Sequence, residues 1–258
     1  MCGIAGYWGS GNEHILNEMI DAVSYRGPDD KGVFIKGNIG LAHRRLSIID
    51  VSAKGHQPMS NEDGTIWIVF NGEIYNYNNL KSELRNKYVF NSESDTEVII
   101  HLYEEVGEEV FSKIQGMFAI ALYDSKNNKL FLARDRMGKK PLYWSQQNNV
   151  FLFGSELKVL MKHPSFKKEI NIDSLDKYLA YEYVPTPHSI FQYTYKLEPG
   201  TFLVWDGEKA EKRVFWQPSF LPKAESFDQS LEALDKALLA SVKGRLVSDV
   251  PIGVFLSG

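Results

Sequence analysis

The chain opens MCGIAGYWG, residues 1–9. Residues 2–8 alternate loosely and carry isoleucine and aromatic side chains, a pattern that suits a β-strand. Cys2 stands directly ahead of that strand and is the sole cysteine among 258 residues. No internal disulfide can form, and a reducing compartment is expected. A residue this small behind the initiator methionine favours removal of Met1. Cys2 would then carry a free α-amino group, with a pKa of roughly 7.7–8.0, beside its thiol. The amine can accept the thiol proton, and the thiolate is the attacking species. The competing reading of Cys2 is a small buried hydrophobe.

Beyond the first strand, residues 12–25 place Ile15, Leu16, Met19, Ile20 and Val23 at the spacing of an amphipathic helix. A turn-rich RGPDD follows. Residues 31–50 read as two short strands about Gly37-Asn38. TIWIVFNGEIYN, residues 65–76, is β-rich and is expected to turn at Asn71-Gly72. Helices are predicted over 76–86 and over 94–114, the latter broken near Gly107 and capped by Ser94 or Asp95. Residues 117–135 read as a strand pair, 148–156 as a strand, 157–163 as a short helix, and 174–184 as a helix stopped by Pro185 and Pro187. A further strand pair is read about Asp206-Gly207. Strands in runs, with helices that rarely alternate one for one, indicate an α+β chain of antiparallel sheets with helices packed on them.

After Trp216 the composition shifts. Residues 217–227 hold two prolines and read as a linker. Residues 226–246 read as an amphipathic helix with Leu231, Leu234, Leu238, Leu239 and Val242 on one side. VPIGVFLSG, residues 250–258, reads as a buried strand running into Ser257-Gly258. A phosphate-binding strand–loop–helix begins this way, as does an ordinary strand end. One strand and one helix cannot make a core, so the chain reads as ending inside a second domain.

Apolar residues make up 43 % of the chain, enough for a sizeable core, and a net charge of −4 disfavours a general nucleic-acid binder. No apolar run reaches the roughly 18–20 residues of a membrane span, and no signal peptide is visible. A cytoplasmic protein without membrane or nucleic-acid partners is the expectation.

Four segments can serve a thiolate at Cys2: RGPD (26–29), RRLSIID (44–50), FNGEIYN (70–76) and SDTE (94–97). A thiolate attacking an amide carbonyl creates an oxyanion that needs two fixed donors. The Asn71 side-chain amide and the Gly72 N–H supply them at minimal spacing, although Asn-Gly alone is also a turn. An amino-acid substrate presents an ammonium, which Asp95 and Glu73 can take, and a carboxylate, which Arg45 can clamp. Asp95 equally suits a helix cap. His43 is a candidate base for a Cys–His pair, but its place on a strand favours a core or surface histidine. The amine of Cys2 would make it unnecessary.

The run MCGIAGYWG…YRGPD…RRLSIID…NGEIYN…SDTEVI…GMFAIALYD…ARDRMGKKPLY resembles the glutamine-hydrolysing asparagine synthetases. The resemblance implies a glutaminase domain over 2–212, a linker over 213–225, and the beginning of an ATP-using synthetase domain over 226–258. It implies a four-layer αββα sandwich of two antiparallel sheets of the N-terminal-nucleophile hydrolase type, followed by the start of an α/β synthetase domain. Cys2 would be the nucleophile, with Asn71 and Gly72 as the oxyanion hole. Arg45, Leu46, Ile48, Asn71, Glu73 and Asp95 would line the glutamine pocket, and Arg26 would hold the nucleophile loop. Leu256, Ser257 and Gly258 would open the Ser-Gly-Gly-x-Asp-Ser pyrophosphate loop. No metal or cofactor is implied for the glutaminase half. ATP and Mg2+ would serve the full-length enzyme, whose partners would be glutamine and aspartate, and a homodimer is compatible with the family. Glutamine would yield glutamate and ammonia, and the ammonia would amidate aspartate. RGPD and NGEIYN separate this type from amidophosphoribosyl transferases, glucosamine-phosphate synthases and glutamate synthases. The alternatives are another acceptor in a polysaccharide, antibiotic or peptide pathway, and a catalytically silent binding module.

Overall fold

The first strand, β1 (Gly3–Trp8), is buried along its whole length. In the computed structural model, which describes residues 1–222 and 226–256, β1 pairs antiparallel on both edges. Its neighbours are β3 (Ile39–Arg45) and β9 (Val150–Gly154). With β2 (Asp30–Lys36), β8 (Tyr143–Gln147) and β10 (Thr194–Lys196) they form a sheet in the order β10-β8-β9-β1-β3-β2. The second sheet runs β12-β11-β7-β6-β5-β4. Its strands are β4 (Met59–Ser60), β5 (Ile66–Ile74), β6 (Gly116–Asp124), β7 (Lys129–Arg134), β11 (Thr201–Trp205) and β12 (Ala210–Val214). Every pairing in both sheets is antiparallel.

Alternation along β1 explains the layers. Ile4 and Trp8 face the second sheet, in one core with Val69, Ala121, Leu132 and Leu203. Ala5 and Tyr7 point to the opposite face, where they meet Leu16, Met19 and Ile20 of α1 (Glu13–Asp21) and Val159 and Leu160 of α5 (Leu157–Leu160). Both faces are covered, so the strand reads apolar throughout rather than apolar-in, polar-out. On the second sheet, Ile68, Phe70, Phe118 and Ile120 pack outward against α2 (Tyr77–Leu84), α3 (Asp95–Val106) and α4 (Val110–Lys113) through Leu80, Val98, Ile99 and Phe111. The chain is thus a four-layer αββα sandwich of α+β class.

Sequence and structure part at three places. The predicted turn at Asn71-Gly72 does not form: β5 runs straight through it, with Asn71 opposite Ala119 and Gly72 opposite Phe118. Sheet pairing overrides the dipeptide's turn preference. The glycine is needed for close approach, since a Cβ there would lie 2.2 Å from the Met117 carbonyl oxygen. Second, β4, β8 and β10 were not anticipated; β4 is two residues long, β8 contains Gln146 and Gln147, and β10 is three residues long. Third, residues 251–256 form no strand and are exposed. Among the described residues no strand pairs with them to satisfy their backbone, and a lone strand does not persist in water. Two further helices follow expectation: α6 (Ile172–Tyr181), and α7 (Phe227–Gly244), which starts at a Ser226–Gln229 capping box.

Candidate active site

Cys2 immediately precedes β1, Arg45 ends the adjacent β3, Asn71–Glu73 lie in β5 of the facing sheet, and Asp95 opens α3 of the outer layer. The four sequence segments therefore reach one end of the sandwich from three layers. They enclose a cavity of about 350 Å³ lined by Cys2, Arg45, Asn71, Glu73, Asp95 and Lys140, with Leu46, Ile48 and Gly72 also on its wall.

The nucleophile candidate is held by its main chain. Arg26 Nε donates to the Cys2 carbonyl at 2.9 Å, and Arg26 Nη1 pairs with Glu156 at 2.9 Å. The Leu46 N–H points at Cys2 Sγ at 3.4 Å. Burial pushes the thiol pKa up; the Leu46 hydrogen bond and the positive charges of the chain's amino terminus, Lys140 and Arg45 pull it back. In this environment the thiol needs a base.

Asn71 is 1 % exposed, and neither its Nδ2 nor its Oδ1 has a partner among the described residues. Leaving a buried amide unpaired costs on the order of 1–3 kcal/mol and calls for an explanation. The neighbouring backbone supplies it. Along β5, the N–H groups of Phe70, Gly72 and Ile74 face away from β6, because β6 residue Phe118 spends its N–H and C=O on Asp135 across the other edge. Gln57 Oε1 accepts the Phe70 N–H at 2.7 Å, and Asp95 Oδ2 accepts the Ile74 N–H at 2.9 Å. The Gly72 N–H lies between them on the same edge. Side-chain and main-chain donors thus stand side by side on the cavity wall.

Asp95 is buried, and Ser94 rather than Asp95 caps α3 by accepting the Thr96 N–H. Burial, with a contribution from Glu73, drives the Asp95 carboxyl up to about 7, against the lowering effect of the Ile74 N–H. Burial also raises Glu73, and it lowers Lys140, with the negative charge of Glu73 and of Cys2 opposing. Arg45 places three hydrogen bonds on the loop that follows it, to the carbonyls of Ile49, Asp50 and Ser52. The guanidinium sits so close to Gly55 that a Cβ there would lie 1.9 Å from Nη2. Arg45 therefore shapes the loop carrying Ile48 as well as lining the cavity.

His43 does not meet Cys2. It is buried between the sheets, where Nε2 donates to the Phe70 carbonyl of β5 at 3.0 Å. Burial holds its pKa down at about 3, so it is a neutral cross-sheet tie. Leu256 is 88 % exposed and away from the cavity, and Ser257 and Gly258 lie outside the described residues. Glu62, His101 and Glu104 gather within 4.8 Å of one another, but none lines the cavity.

Two cavity residues were missed by motif reading. Gln57 ties β5 to α3, with Nε2 donating to Thr96 Oγ1 at 3.1 Å. Lys140 is delivered by a rigid loop: the Asp135 carboxylate accepts the N–H groups of Met137, Lys139 and Lys140, and Arg134 holds the carbonyls of Gly138 and Lys140.

Residues 1–216 match the glutamine amidotransferase domain family. A putative asparagine synthetase [glutamine-hydrolyzing] 2 from Methanocaldococcus jannaschii is 41 % identical over 100 % of this chain and 55 % of its own length. Asparagine synthetase [glutamine-hydrolyzing] 1 of Bacillus subtilis is 38 % identical over 100 % of this chain and 42 % of its own. The chain thus spans about half the length of these curated relatives. Among solved structures, the glutamine phosphoribosylpyrophosphate amidotransferase of B. subtilis superposes with a TM-score of 0.64 at 20 % identity, covering 84 % of this chain and 50 % of that one.

Proposed function

The chain belongs to the glutamine amidotransferase domain family, of the type that opens the glutamine-hydrolysing asparagine synthetases, and from that premise we propose that it hydrolyses glutamine to glutamate and ammonia at Cys2. The observation that carries the reading is the unpaired Asn71 amide beside the Gly72 N–H, within the cavity that Cys2 lines.

Removal of Met1 leaves Cys2 with its own α-amine. The amino group at this end of the chain is held below its usual pKa by burial and by the charges of Lys140 and Arg26, with Cys2 opposing. The same surroundings would favour the neutral form of the Cys2 amine, which takes the Cys2 thiol proton. The thiolate attacks the side-chain amide carbon of glutamine, and Asn71 Nδ2 and the Gly72 N–H receive the oxyanion. The C–N bond breaks as the amine returns its proton to the leaving nitrogen, releasing ammonia and leaving a Cys2 thioester. Water, deprotonated by the same amine, attacks the thioester; the C–S bond breaks and glutamate leaves. Asp95 and Glu73 bind the ammonium of glutamine, and Arg45 its carboxylate. In the full-length protein the ammonia would go to ATP-dependent amidation of aspartate, with ATP and Mg2+ handled beyond this domain.

The test is ammonia release from glutamine by the purified chain, after intact mass confirms that Met1 is gone. Release that vanishes in Cys2→Ala is expected. A folded, Met1-free chain that binds glutamine without releasing ammonia would sink the proposal.

A further inference from the structure

The chain leaving the sandwich returns to the pocket. Helix α7 buries none of its residues, but Arg245, Val247 and Asp249 just after it touch the sandwich. The Arg245 guanidinium lies 4.9 Å from the centre of the Tyr75 ring, two residues beyond Glu73 in sequence. Val247 packs, as Ile48 does, against the outer core. Asp249 makes a two-point contact: its N–H donates to the Ile48 carbonyl at 2.9 Å, and its Oδ2 accepts the Asp50 N–H at 2.7 Å. Ser248 Oγ fixes the turn that presents Asp249 by accepting the Val250 N–H at 3.1 Å.

The gripped segment, residues 46–52, is the pocket loop. It brings the Leu46 N–H to Cys2 Sγ and the side chains of Ile48 and Ile49 to the cavity. Arg45 holds its carbonyls from within the domain, and Asp249 holds Ile48 and Asp50 from the emerging chain. Asp50 adopts φ 51°, a left-handed conformation that a non-glycine residue keeps only where its neighbours over-determine it. Its own carboxylate accepts from Ser52 and Glu93, and the Asp249 carboxylate fixes its N–H through a charge-assisted hydrogen bond.

We infer that Asp249 is a positioning residue of the glutamine pocket: by clasping Ile48 and Asp50 it holds loop 46–52 in its glutamine-binding form, so that glutamine affinity depends on the placement of the chain between the two domains. The inference rests on the glutaminase reading above. Coupling of this kind is reciprocal. Whatever fixes residues 245–250 tightens glutamine binding, and bound glutamine steadies residues 245–250 in turn.

The test compares the Met1-free chain with Asp249→Ala and Asp249→Asn. Loss of a charge-assisted hydrogen bond is expected to raise the KM for glutamine about tenfold in Asp249→Ala, with kcat within about twofold and a smaller effect in Asp249→Asn. Hydrogen exchange supplies a readout that needs no activity. The amides of 47–52 should exchange faster in both variants while those of β1, β5 and β6 stay unchanged, and glutamine should slow exchange at 245–250 in the parent. Unchanged KM together with unchanged exchange at 47–52 would overturn the inference. A parent chain that releases no ammonia strikes the glutaminase reading instead, and exchange then decides the clasp alone. If Asp249→Ala melts non-cooperatively, Asp249→Asn carries both measurements.

Discussion

Asp95→Asn should stabilise the protein, and should do so only as the pH rises. Asp95 is 4 % exposed, and its carboxyl is driven from 3.8 up to about 7, chiefly by burial. The sign follows from proton counting. Between pH 3.8 and about 7 the folded state keeps a proton that the unfolded chain has lost, so stability falls with rising pH across that window and levels off above it. At about 1.36 kcal/mol per unit, the fully ionised site costs about 4 kcal/mol. Asparagine keeps the oxygen that accepts the Ile74 N–H and carries no charge. The stability of Asp95→Asn minus wild type should therefore grow by about 3 kcal/mol between pH 5 and pH 8 and flatten above pH 7. His43 titrates in the opposite sense: its pKa is lowered from 6.5 to about 3, so its contribution is full above pH 6.5 and lost as pH falls. That term is common to both proteins and cancels in the difference. Urea unfolding at four pH values measures it. A difference independent of pH, or one that shrinks as pH rises, would refute the reasoning. The same substitution should weaken glutamine binding at least tenfold, since the substrate ammonium loses its buried counter-charge.

Three further outcomes are expected. Asn71→Ala should lower kcat by about 10²–10³ with little change in KM, as removal of one oxyanion donor does; because both polar atoms of Asn71 are unpaired, its melting temperature should hold or rise. His43→Leu should cost about 1–3 kcal/mol in urea unfolding, by orphaning the Phe70 carbonyl, yet leave ammonia release per folded molecule unchanged. Lys140→Met should move the pH profile of Cys2 alkylation by iodoacetamide to higher pH, since the ammonium helps to lower the thiol.

The layers were legible because each sheet face and helix stripe carries its own periodicity. Leu16, Met19 and Ile20 announced a helix face, and the strands about Gly37-Asn38 announced the β2–β3 pair. The oxyanion donors were legible as residues but misplaced as structure. Read as a turn, Asn71-Gly72 would present both groups to solvent; as continuous strand, it aims them along an edge whose other N–H groups are taken. The deciding information lies in β6 and the Asp135 loop, some 45–65 residues away, and no local pattern carries it. Lys140 and Asp249 were invisible for a related reason. Each is placed by hydrogen bonds to main-chain atoms, from Asp135 in one case and to Ile48 and Asp50 in the other. Main-chain partners leave no side-chain signature in the sequence.

Burial disfavours the charged form of each of the ionisable side chains Glu73, Asp95 and Lys140 of the cavity. Glu73 and Asp95 are raised, and Lys140 is lowered, each with desolvation as the largest cause. A zwitterionic amino acid reverses this, since its ammonium is a counter-ion for Asp95 that water cannot supply in a 4 %-exposed site. Binding must therefore release a proton wherever Asp95 is protonated in the free protein. At pH 7 about half a proton should leave, and at pH 5.5 nearly one, while above pH 8.5 none should, given the Asp95 value of about 7. Calorimetry of glutamine binding to Cys2→Ala, which holds the substrate without turning it over, reads this directly. The binding heat should depend on the ionisation enthalpy of the buffer at pH 5.5 and lose that dependence at pH 8.5. A heat independent of buffer at pH 5.5 would mean that glutamine reaches Cys2 without meeting Asp95, and the ammonium would have to be assigned to Glu73 alone.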